Sequence, residues 1–152
     1  MTRFSFLHSS RRLHSDAEHL VADNTADRRL NAAHFHGLAS ECGLKYLLLL
    51  CGGLQRDANT GDLAGSRPHV DRMVDASGLA TSYRSLVSGH THSRYFLQLP
   101  SISSLQSWKP EYRYYDQAHA DYPKTDEVSW QTASKEIQTA LDAALLDGQP
   151  TY

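Results

Sequence analysis

Cysteine is scarce in this 152-residue chain, and the placing of its two copies rules out the covalent bracing of a disulfide-built domain. Cys42 and Cys51 are nine positions apart. On one helix that is about 13 Å of rise, well beyond the roughly 7 Å over which two Cα atoms can share a disulfide. Both are expected as free thiols. Long hydrophobic runs are missing too, since no apolar stretch reaches the roughly 18 residues of a membrane span. The N-terminus places Arg11 and Arg12 after its few apolar residues, the wrong order for a secretory signal. The expected compartment is the cytoplasm, with no membrane partner. Nor is there an excess of positive charge: a formal net charge of −2 argues against a generally basic protein that coats nucleic acid. Arg11, Arg12, Arg28 and Arg29 read first as a solvated surface, and only second as a local edge for phosphate. No internal repeat or low-complexity tract interrupts the chain. With 40% hydrophobic residues, its 152 positions fit a single globular domain.

The segment from Arg28 to Cys51 is the strongest structural signal. Leu30, His34, Leu38, Glu41, Leu44, Leu48 and Cys51 recur at steps of three and four, so a long central helix would bury Glu41 among aliphatic neighbours. A buried carboxylate needs a partner. Lys45 stands at i+4 in the favourable orientation; Arg113 and Tyr114 are the other candidates. Residues 9 to 23 form a preceding helix with Leu13, Ala17, Leu20 and Val21 on one stripe and Asp16 and Glu18 facing away. The turn at Asp23-Asn24-Thr25 would fold the two into an antiparallel hairpin.

Gly52-Gly53 ends the central helix, and Gln55 to Arg67 reads as a polar loop. Pro68 suits the first turn of a third helix carrying Val70, Met73 and Val74. Leu79, Tyr83, Leu86, Val87, His90, Arg94 and Leu97 then follow helical spacing, with a bend at Gly89 and a stop at Pro100. Residues 100 to 124 are irregular, and Trp108, Tyr112, Tyr114 and Tyr115 would pin them across the bundle. The final helix has Thr125 as N-cap, Gly148 and Pro150 as stops, and a stripe of Trp130, Ala133, Ile137, Ala140, Leu141, Ala144 and Leu145. Nothing demands a sheet. The expected fold is all-α, an up-and-down bundle of four to five helices.

Motifs for chemistry are mostly incomplete. Ser-Gly-His-Thr-His at 88 to 92 matches the Gly-His-x-His that closes a metallophosphoesterase site, but the Asp-x-His and Gly-Asn-His partners are lacking and Gly61-Asp62 supplies one piece only. His34 and His36 are two apart and point about 200° apart on a helix, so they cannot share an ion. His14 and His19, five apart, fail as well. No metal or other cofactor is expected; His34 is assigned to the core and His36 to the surface. No Gly-x-Ser-x-Gly turn or phosphate-cradling glycine loop occurs, and neither cysteine has an activating context. What remains is Arg113-Tyr-Tyr-Asp-Gln-Ala-His119, just before the final helix. A guanidinium can hold phosphate oxygens while an imidazole moves a proton near neutral pH. Spacing alone does not single this pair out, because Arg3/His8, Arg12/His19, Arg29/His34 and Arg84/His90 are also separated by four to six residues.

Taken together, Arg11-Arg-Leu-His-Ser-Asp-Ala-Glu-His-Leu20, the central Asn31-Ala-Ala-His-Phe-His-Gly-Leu-Ala-Ser-Glu41-Cys-Gly-Leu-Lys45 and the Arg113-Tyr114 step resemble the HEPN family of small helical-bundle proteins, over a core of about residues 10 to 147. Many members of that family are metal-independent ribonucleases with an arginine, four to six residues and a histidine near the last helix, often paired across a homodimer. The resemblance implies Arg113 on the scissile phosphate and His119 as general acid or base, supported by Glu41, Lys45 and Tyr114, in a toxin or defence effector acting on RNA. Tyr114 stands where a polar residue often follows the signature arginine. Other members are catalytically silent, binding nucleotides or serving as scaffold subunits of larger assemblies. That alternative, and after it a metal-dependent phosphoesterase, compete with the ribonuclease.

Overall fold

A computed structural model describes residues 5–23, 25–116 and 118–151. The protein is all-α in its main elements: α1 (Phe6–Ala22), α2 (Ala26–Leu50), α3 (Val70–Met73), α4 (Thr81–Val87) and α5 (Glu127–Leu146). The Ser5 side chain caps α1 by accepting from the His8 amide. With only a short connection between them, α1 and α2 form the expected antiparallel hairpin, and α5 closes a three-helix seam against both.

The central helix is enclosed on more than one side, so its apolar stripe underestimates its burial. Ala32, Ala33, His36, Ala39, Ser40, Glu41, Leu44, Lys45, Tyr46, Leu47 and Leu48 are all buried. Small residues make this possible. A Cβ on Gly43 would lie 2.3 Å from Ile137 Cγ2, and one on Gly37 would lie 2.0 Å from Trp108 Nε1. At the tightest point of the seam, the buried Ser10 hydroxyl donates to the Ala39 carbonyl (2.7 Å) and accepts from Gln138 Nε2 (2.9 Å), linking all three long helices. The α5 stripe is as expected, with Trp130, Ala133, Ile137, Ala140, Leu141 and Ala144 fully buried.

Several local expectations are corrected. His36 is 1% exposed, in the interior facing α1, whereas His34 is only half-buried against Trp108. The assignment of His34 to the core and His36 to the surface assumed a single buried stripe, and α2 buries more than one. Glu18 does not face away; it turns into the seam. The span from 79 to 97 is not one helix: α4 ends at Val87, Gly89 takes φ +78°, and a 3₁₀ helix follows over Thr91–Gln98. A small antiparallel pair also occurs, β1 (Val74–Asp75) with β2 (Gly78–Leu79), turning the chain between α3 and α4. Finally, Lys124–Asp126 form a 3₁₀ turn, so Asp126, not Thr125, precedes α5, without a side-chain cap bond. Cys42 and Cys51 are free thiols, and burial pushes each up to about 11. Among the described residues, no helix is long and apolar enough to cross a membrane.

Because Trp108 is fully buried and sits directly on Gly37, Gly37→Ala forces a shift in a ring with nowhere to go. Thermal or denaturant unfolding should show a loss of about 1–3 kcal/mol, the usual cost of overpacking. An unchanged midpoint would contradict this packing.

Candidate functional site

The tract between α4 and α5 is a chain of 3₁₀ turns: Thr91–Gln98, Ile102–Ser107, Pro110–Tyr114 and Lys124–Asp126. Serine and proline favour turns over long helices here. What holds the tract is its aromatic and polar anchoring to α5. The Ser101 amide and hydroxyl both donate to the Glu136 carboxylate, at 2.8 and 2.6 Å. Tyr112 is buried, its ring stacked 6.0 Å from Trp130 and edge-on to Tyr122 at 5.4 Å. Tyr122 donates to Glu127 Oε1 at 2.8 Å, and burial raises its phenol strongly.

Arg113 follows the buried Tyr112 and is exposed, its guanidinium 4.6 Å from the Tyr114 ring centroid. His119 is exposed and stacked on Tyr115 at 4.0 Å. The Asp121 amide donates to His119 Nδ1 at 3.3 Å, which makes Nδ1 the acceptor and leaves the ring hydrogen on Nε2. Each side chain thus engages a neighbouring tyrosine, and among the described residues no hydrogen bond or ring contact joins the two. Clefts of about 470, 300 and 150 Å³ are lined by other residues. Arg113 also pushes the half-buried His34 further down in pKa, after burial itself.

Glu41 and Lys45 are brought together as expected, and both are buried. Lys45 Nζ donates to Glu41 Oε1 at 2.7 Å. The second oxygen takes the Val70 amide at 3.2 Å and His69 Nδ1 at 3.1 Å, so the carboxylate ties α2 to the start of α3. Arg113 and Tyr114 are not among its partners; the anticipated support of Arg113 by Glu41 is replaced by a structural tie. His69 had no signal in helical periodicity, because it belongs to the loop before α3 and meets Glu41 only through the fold.

A third constellation lies in the seam. His14 and Glu18, one helical turn apart on α1, meet His36 of α2, and their donor atoms all lie within 4.8 Å of one another. From α5, Ser134 Oγ bonds His14 Nδ1 (2.8 Å), Gln131 Nε2 donates to Glu18 Oε1 (2.9 Å), and Lys135 Nζ stands 3.5 Å from Glu18 Oε2. His36 Nε2 comes to 3.3 Å from Glu18 Oε1 without hydrogen-bond alignment, and its Nδ1 has no partner. Burial, with the adjacent His14, drives His36 down to about 4 against the opposing pull of Glu18. His14 is lowered as well, chiefly by burial. For Glu18 burial acts upward, but Gln131, Lys135 and the two histidines outweigh it and hold the carboxyl below its ordinary value. The i,i+4 spacing of His14 and Glu18 was visible in the sequence; their meeting with His36 was not.

Among the described residues, the Gly-His-x-His motif forms no comparable group. His90 Nδ1 accepts from the His92 amide, and His92 stacks on Tyr95. Asp62 is bonded by Arg67 and by the Leu63 amide. Compared with protein-family models, curated proteins and solved structures, the chain has no match.

Removing one member of the Glu41/Lys45 pair strands the other inside the protein. Glu41→Ala should cost about 3–5 kcal/mol in chemical denaturation, whereas Glu41→Leu combined with Lys45→Met should recover most of that loss. Equal destabilisation by the single and double variants would show that the pairing is not what matters.

Proposed function

We propose that this chain is a HEPN-like, metal-independent endoribonuclease, cytoplasmic and working as a toxin or defence effector through Arg113 and His119. The observation that carries the reading is that both side chains stand exposed on a tract anchored by Tyr112, and that neither is engaged in an ion pair among the described residues. An arginine without a carboxylate partner is free to take phosphate oxygens. His119, held by stacking on Tyr115, is exposed, and as an imidazolium it would give a proton to the leaving 5′-oxygen as the RNA 2′-hydroxyl attacks phosphorus, ending as neutral imidazole. Tyr114 is 74% exposed and offers a flat face for a base. A homodimer would bring a second histidine to remove the proton of the 2′-hydroxyl. Glu41 and Lys45 support the bundle, not the chemistry.

A specific observation favours a second reading, a catalytically silent scaffold or nucleotide-binding subunit. Glu111, Asp116 and Asp121 are exposed on the same tract and work against polyanion binding.

Cleavage of single-stranded RNA in the presence of EDTA separates the two. For the nuclease, Arg113→Ala and His119→Ala each lower the rate by about 10²-fold or more, the usual scale of a lost acid–base group. Equal activity in wild type and both variants, or none in any of them, removes the catalytic assignment; full activity that vanishes only with EDTA points to a metal-dependent phosphoesterase instead.

A further inference from the structure

We propose that His14, Glu18 and His36 form a binding site for one divalent transition ion of the zinc class, clasping α1 to α2 beside α5. The donor set is the first argument. Two imidazoles and one carboxylate are a common three-residue set for such an ion, and they leave a fourth position open. Their placement is the second: the donor atoms already lie within 4.8 Å of one another, drawn from two helices packed along a rigid seam.

The unmet valence of His36 is the third argument. This ring is 1% exposed, yet Nδ1 has no partner and Nε2 meets Glu18 without a hydrogen bond. A histidine that served only to pair with Glu18 would be aligned to it.

The surrounding contacts are those a metal ligand requires. Ser134 holds His14 Nδ1 and leaves Nε2 as the donor, while Gln131 orients the Glu18 carboxylate. Lys135 is the competing cation, but its side chain is 55% exposed and can move to solvent. His36 also lines a cleft of about 150 Å³ with Arg29, Glu127 and Gln131, which provides an entry path.

The test uses the full chain without a histidine tag, stripped with EDTA and dialysed. Titration with Zn²⁺ by calorimetry should give one ion per chain and raise the thermal midpoint, and Co²⁺ should develop the visible absorption of a low-coordinate site. His14→Gln and His36→Gln should each abolish binding or weaken it by more than the roughly 10–100-fold expected of Ser134→Ala. His90→Ala should bind as wild type. Should His36→Gln unfold, His14→Gln and Glu18→Gln, which alter a half-buried edge, carry the comparison alone. The proposal is overturned by the absence of Zn²⁺ binding at millimolar ion, or by binding that survives His14→Gln and Glu18→Gln in folded protein. The RNA assay in EDTA is independent of either result.

Discussion

The close approach of α1, α2 and α5 is the constraint on which the remaining structure rests. Three helices can come this near only where side chains are small, and Gly43, Ala39 and Ser10 meet at that point. Hydrophobic burial alone would leave the polar atoms of such a tight seam without water, so the seam supplies its own partners. Ser10 bonds Ala39 and Gln138, His14 bonds Ser134, and Glu18 bonds Gln131. These contacts climb α5 at steps of three and four, one rung per turn. They fix the relative rotation of the helices, which apolar packing leaves less well determined.

A second consequence of the enclosed α2 is a division of labour among its polar groups. Glu41 and Lys45 neutralise one another and take in the α3 amide, which fastens the loop region to the bundle. His36, on another face, is left with unused valence. The tract carrying Arg113 and His119 is different again: its buried rings hold the backbone, and the residues between those rings project outward. The backbone of these outward residues is thus held in place by rings buried away from them.

The long helices were legible because their apolar residues recur with helical spacing over many turns, as the α5 stripe from Trp130 to Ala144 shows. The Glu41/Lys45 pair was legible for the same reason, being local along one helix. Where the prediction failed, tertiary packing decided the outcome. His36 is interior because two other helices cover its side of α2, and no one-helix pattern contains that information. The span from Leu79 to Leu97 has helical periodicity, yet Gly89 adopts a left-handed conformation and divides it. Helical and 3₁₀ turns place apolar residues at similar intervals, so the pattern survives while the helix does not. His69 joined Glu41 across 28 positions, a distance over which spacing carries no signal.

The thiols of Cys42 and Cys51 carry a last implication. Burial pushes each up to about 11, away from the reactive thiolate anion. Oxidants and electrophiles attack that anion, and the spacing along α2 denies the pair a mutual bond. The two cysteines therefore serve α2 as packing groups and not as a covalent brace, so the helix geometry rests on its contacts alone.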